Sequence, residues 1–210
     1  MKTVIYLHGF NSSPHSNKAK LMREYYQVHS GSKGGTDIAA ANDAFNIEIP
    51  CLAIAPQDVV AQIGELIEAI GISNIAGFVG SSLGAFYSLY FQQRYPLSPT
   101  SFLKAVLINP AVRPFELLQD YLGLNHNPYT GVSYVVKRSH MSDLKALSVP
   151  SVANAENTLL LTQTGDEVLD FQQAVSYLNG AKVWVQYGGN HGFVGFKSVL
   201  PVIYPFLKAE

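Results

Sequence analysis

The chain has 210 residues, of which 48% are apolar and 14% charged, with a net charge of −1. That length suits one domain with a substantial core, and the near-neutral charge with no basic run argues against a nucleic-acid binder. No apolar stretch reaches membrane-spanning length, and Met1 to Val4 enters a strand directly with no signal-peptide pattern, so the expected location is cytoplasmic.

Residues 3–7 read as a buried strand that stops at His8-Gly9-Phe10, followed by a loop and by apolar residues at helical spacing over 18–27. The stretch 31–36 is Gly-rich, but it lacks phosphate-loop spacing and follows no strand, so it reads as a flexible excursion. A second strand is expected within 46–55, interrupted by Pro50. The single cysteine, Cys51, cannot form an internal disulfide, and burial as a small apolar residue is its expected role. Residues 58–70 form an amphipathic helix with Val59, Ile63, Leu66, Ile67 and Ile70 on one face. A third strand leads into Gly80-Ser81-Ser82-Leu83-Gly84, and the helix after it runs to about Arg94. Residues 103–109 are a fourth strand, stopped by Pro110. Residues 158–163 and 182–186 are a fifth and a sixth, with a helix over 171–178 between them and a last helix over about 197–208.

The join at Ser82 fits G-x-S-x-G, the nucleophile elbow, in which a serine sits on a tight turn between strand and helix. The turn pushes the hydroxyl out above the sheet, and the flanking glycines leave room where a Cβ would clash. The following helix directs its first N–H groups at the same spot, which favours negative charge there.

Strands alternating with helices predict a parallel sheet covered on both faces, with ligands bound beyond the carboxyl ends of the strands. Four such ends carry polar or Gly-rich residues: His8 after strand one, Ser82 after strand three, Asp166 after strand five and His191 after strand six. A serine hydroxyl needs a base within hydrogen-bond reach. His191, in a Gly-rich loop after the last strand, is the best placed of six histidines. An acid at an earlier strand end would fix the imidazole tautomer. Asp166 fits that role; Glu167 and Asp170 are rivals, better read as solvent-facing or helix N-terminal charges.

The order Ser82, Asp166, His191, with Leu7-His8-Gly9-Phe10 early in the chain, resembles the α/β-hydrolase superfamily. The stretches His8 to Ser13, Gly80 to Gly84, Thr164 to Asp170 and Gly189 to Phe193 are similar to those of the small bacterial YqiA-like esterases. The resemblance implies a three-layer α/β fold with a mainly parallel sheet of about six strands in the order 2-1-3-4-5-6. It further implies hydrolysis of an ester or acyl thioester with no cofactor. The oxyanion donors implied are the backbone N–H groups of Phe10 and Leu83. His8 is then expected to brace the oxyanion loop.

Residues 111–157 exceed what a plain crossover needs. They contain a helix-like start at Pro114, a short strand over 132–137 and a helical turn over 142–147. Their position between strands four and five predicts a small cap over Ser82, inside one domain spanning 1–210. Tyr121, Tyr129 and Tyr134 either line an acyl channel or pack, and Phe193 is a further pocket candidate beside Phe10 and Leu83. His140 and Asp143 have no suitably spaced partners for a metal, so no metal is expected. The expected partner is a small acyl ester or thioester. A non-catalytic member of the fold that binds a small acyl ligand is the alternative.

Overall fold

The computed structural model describes residues 1–29, 45–98 and 101–209, so the Gly-rich stretch 31–36 lies outside the described residues. The elements in chain order are β1 (Lys2–Leu7), α1 (Asn17–His29), β2 (Phe45–Glu48), α2 (Pro56–Ile70), β3 (Ile75–Ser81), α3 (Leu83–Arg94), β4 (Lys104–Ile108) and α4 (Pro114–Leu117). There follow β5 (Gly123–His126), β6 (Ser133–Val136), α5 (Arg138–Ala146), β7 (Thr158–Gln163), α6 (Phe171–Tyr177), β8 (Lys182–Gln186) and α7 (Leu200–Lys208).

Among the described residues, six strands form one parallel sheet in the order β2-β1-β3-β4-β7-β8. Counted within that sheet, this is the expected order. The difference lies in β5 and β6, an antiparallel hairpin outside the sheet that the sequence suggests only as a single strand. Central strands of a sheet covered on both faces read as continuous apolar runs, and β3 and β7 are buried at every residue. Alternation then divides each strand between two cores. Val4 and Tyr6 of β1 pack with Met22 and Tyr26 of α1 and Ile203 of α7. Ile5 and Leu7 point the other way, among Ile63 and Ile67 of α2 and Phe91 of α3.

Local chemistry sets the element ends. Pro56 opens α2 two residues earlier than expected, because proline is pre-organised for the first helical turn. Gly71, at φ 80°, closes that helix by donating its N–H to the Ile67 carbonyl. The edge strand β2 ends at Glu48, short of Pro50, which has no N–H for a ladder. The chain has therefore left the sheet by Cys51, which is exposed rather than buried as expected. A 3₁₀ turn at Phe196–Val199 leads into α7.

Connections from β1 run to β2 on one side and back to β3 on the other, so the order reverses at β1. Ligands on such sheets bind beyond the strand ends at this point. Phe10 and Ser82 emerge there.

Candidate active site

Ser82 links β3 to α3 at φ 55° and ψ −120°, a conformation costly for a residue with a Cβ. The surroundings enforce it. A Cβ on Gly80 would lie 2.2 Å from the Gly84 carbonyl oxygen, and one on Gly84 would lie 2.0 Å from that of Leu7. Helix α3 therefore presses its first turn against β1 at a distance only glycine allows. The Ser82 N–H donates to the Ile108 carbonyl at 3.0 Å and its own carbonyl accepts from Ala111 at 3.2 Å, which ties the turn to the end of β4.

Ser82, His191 and Asp166, far apart in sequence, form one hydrogen-bonded chain. Ser82 Oγ lies 3.1 Å from His191 Nε2, and His191 Nδ1 lies 2.9 Å and 3.1 Å from the Asp166 carboxylate oxygens. The Asp166 side chain is 2% exposed. Burial pushes its pKa up, but hydrogen bonds from His191 and from the backbone N–H groups of Leu169 and Val168 outweigh that and hold it below the usual carboxylate value. With an ionised Asp166 on Nδ1, the imidazole proton sits there and Nε2 is left as an acceptor facing Ser82.

The two rival acids have other partners. Asp170 caps α6 by accepting from the Gln172 N–H at 2.9 Å. Glu167 is not simply solvent-facing: it accepts the backbone N–H of His191 at 3.0 Å, a bond that lowers its own pKa.

Sequence reasoning missed the residues that hold the His191 loop. Gln163, fully buried at the end of β7, donates to Gln186 Oε1 at 3.0 Å and to the Val194 carbonyl at 2.7 Å. Its Oε1 accepts from the N–H groups of Asn190 at 3.0 Å and Val194 at 2.9 Å. Asn109, at the end of β4, accepts from the Gln163 N–H at 3.0 Å and donates to the carbonyls of Asn190 and His191 at 3.1 Å and 3.2 Å. Lys18 adds a bond to the Gly192 carbonyl at 2.9 Å. Phe193 belongs to this support: it sits at φ 63°, is 2% exposed and packs on Phe196 with ring centroids 6.0 Å apart. This corrects the expectation that it lines a pocket; the core takes its ring and so anchors the loop.

On the other side of Ser82, His8 donates from Nδ1 to the Gly9 carbonyl at 3.0 Å and accepts the Leu52 N–H on Nε2 at 3.2 Å. Burial lowers its pKa, so it stands neutral as a brace for the loop that carries Phe10. The N–H groups of Phe10 and Leu83 have no protein acceptor among the described residues.

Phe10 and Leu83 also line a cavity of about 190 Å³. Cys51 and Leu52 line it from the β2 side, and Leu118, Tyr134 and His140 from the segment 111–157. Tyr134 donates its hydroxyl to Asn11 Oδ1, and Asn127 Nδ2 donates to the Ser12 carbonyl at 3.0 Å, so the hairpin is fastened to the loop after β1. Tyr121 is not on the cavity wall; it packs edge-on against Phe10 at 5.0 Å between centroids. Tyr129 is half exposed and also off the wall. Among the described residues, no group of three His, Cys, Asp or Glu side chains is placed to hold a metal ion. Nor is any helix there long and apolar enough to cross a membrane.

The fold has many solved relatives. The esterase domain of a Rhodothermus marinus protein superposes with a TM-score of 0.65 at 12% identity, over 99% of this chain and 86% of the other. Mouse alpha/beta hydrolase domain-containing protein 10 gives 0.64 at 14% identity, over 98% and 88%. The monoacylglycerol lipase of Paleococcus ferrophilus gives 0.63 at 13% identity, over 98% and 93%. At such identities the likeness speaks for the α/β-hydrolase fold alone. The profile of one sequence family matches residues 3–208, nearly the whole length, and the chain accordingly belongs to the uncharacterised protein family UPF0227.

Proposed function

We propose that the protein is a serine hydrolase that cleaves carboxylic esters or acyl thioesters through an acyl-enzyme on Ser82, with no cofactor. The observation that carries this reading is the Ser82–His191–Asp166 chain, with contacts of 3.1 Å and 2.9 Å, on a strained elbow. A protein that only binds an acyl ligand has no use for that strain or for a buried ionised acid behind the imidazole.

In the first half-reaction Ser82 Oγ attacks the acyl carbonyl carbon while its proton passes to His191 Nε2. The negative charge that develops on the carbonyl oxygen is met by the N–H groups of Phe10 and Leu83, at the N-terminus of α3. Collapse breaks the bond to the alcohol or thiol, which leaves with the proton from His191. Water then loses a proton to His191 and attacks the acyl-enzyme; the acyl–Oγ bond breaks, Ser82 Oγ takes that proton back from His191, and the acid is released. Asp166 remains ionised throughout and stabilises the imidazolium. The segment 111–157 acts as a small cap whose cavity wall meets the acyl group. The protein works in the cytoplasm on a small-molecule substrate.

Hydrolysis of p-nitrophenyl butyrate, together with labelling by a fluorophosphonate probe, tests this. Ser82→Ala is expected to stay folded and to lose both, apart from residual hydrolysis over water. Turnover and labelling equal to wild type would overturn the assignment and point to Ser81.

A further inference from the structure

The cavity beside Ser82 is apolar at Phe10, Leu83, Leu118, Val136, Met141 and Leu144, and among the described residues no Asp, Glu, Lys or Arg lines it. Polar side chains on its wall are engaged within the protein at His8, Tyr134 and Asn127. Others are not: the hydroxyl of Tyr87, from α3, has no partner among the described residues, and His140, from α5, has one free ring nitrogen. It is 7% exposed, its Nδ1 accepts the Lys137 N–H at 3.4 Å, and its Nε2 has no partner among the described residues. With Nδ1 an acceptor, the ring proton sits on Nε2. Burial, with Lys137 adding to it, lowers the His140 pKa against the pull of Asp143 and Asp58, which favours that neutral form. The Nε2 atom is not fully enclosed, so its N–H stays open to an acceptor, water or a ligand oxygen.

We propose that the Nε2–H of His140 is a ligand-binding donor, and that the cavity takes an uncharged group carrying an oxygen acceptor at its far end. A dry cavity of about 150 Å³ holds benzene. The volume here, about 190 Å³, therefore suits one aromatic ring, or a chain of similar bulk, with a hydroxyl, methoxy or keto oxygen. That this group is the acyl part of a substrate rests on the esterase reading; that it binds does not.

Two arms separate these claims. In the first, wild-type protein is titrated calorimetrically with 4-ethylphenol, 4-methylanisole and ethylbenzene. One net hydrogen bond predicts about fivefold tighter binding of both oxygenated ligands. His140→Phe keeps a ring without a donor and should bring the three within about twofold, while His140→Gln retains an N–H and should restore part of the difference. Equal affinities in wild type, or a preference that survives in folded His140→Phe, would overturn the proposal; the wild-type comparison decides if His140→Phe does not fold. The second arm compares kcat/KM for p-nitrophenyl esters of 3-(4-methoxyphenyl)propionate and 3-phenylpropionate, where the same ratio is expected. A binding preference with no turnover of either ester sinks the esterase reading and leaves the binding site standing. Turnover without a preference in either arm does the reverse.

Discussion

Replacing Gln163 by Leu removes a buried amide while keeping nearly the same volume, so packing changes little and four hydrogen bonds are lost. At roughly 1 kcal/mol net for each bond, the four together come to about 4 kcal/mol. Asn190 and Val194 are exposed residues, so water takes over some of their backbone groups and the expected loss falls to about 2–3 kcal/mol. The loss of function should be larger than the loss of stability implies. Asn190 immediately precedes His191, and a shift of about 1 Å in a catalytic group costs on the order of a hundredfold. Urea denaturation at 25 °C would measure the stability, and p-nitrophenyl butyrate hydrolysis well below the transition would measure kcat/KM for the folded fraction. If Gln163→Leu is destabilised as expected but each folded molecule keeps activity within twofold of wild type, the four bonds do not position His191. The reasoning about the loop then fails.

Gly84→Ala should be more damaging than an ordinary helix substitution, because the new Cβ would meet the Leu7 and His8 carbonyl oxygens at 2.0 Å and 2.6 Å. Both are backbone atoms, so a loss of at least about 3 kcal/mol and a collapse of activity are expected in a melt and an ester assay. Asp166 has a folded pKa below its unfolded value, so the unfolded chain binds more protons between the two. The stability that Asp166 confers over Asp166→Asn should be present above about pH 4 and shrink as pH falls through the folded value, as pH-dependent denaturation would show. Tyr134→Phe loses the bond to Asn11 but keeps the ring on the cavity wall, so it should lower kcat by one factor for short and long acyl esters alike. Tyr134→Ala should also change the ratio between them, by about tenfold.

What could be read along the chain follows from rules that act within a few residues. The elbow is visible because strand, glycine, serine and helix must be adjacent for the turn to form at all. The bounds of β7 and β8 match the expected ones because short apolar runs end at turn residues. The parallel sheet follows from the alternation of strands and helices, and its order from the family resemblance. Contacts between distant residues were not readable in this way. Gln163 meets Asn109 across 54 positions and Asn190 across 27, and nothing local distinguishes these amides from others. Phe193 was misplaced because its left-handed backbone turns the ring into the core. Cys51 is exposed because β2 ends before Pro50. Nor could the sequence single out the free nitrogen of His140, which is defined by what the fold leaves unpaired around it. Periodicity and sterics are carried by neighbours in the chain, whereas a hydrogen bond's partner is known only once core packing has set the distance between its two ends.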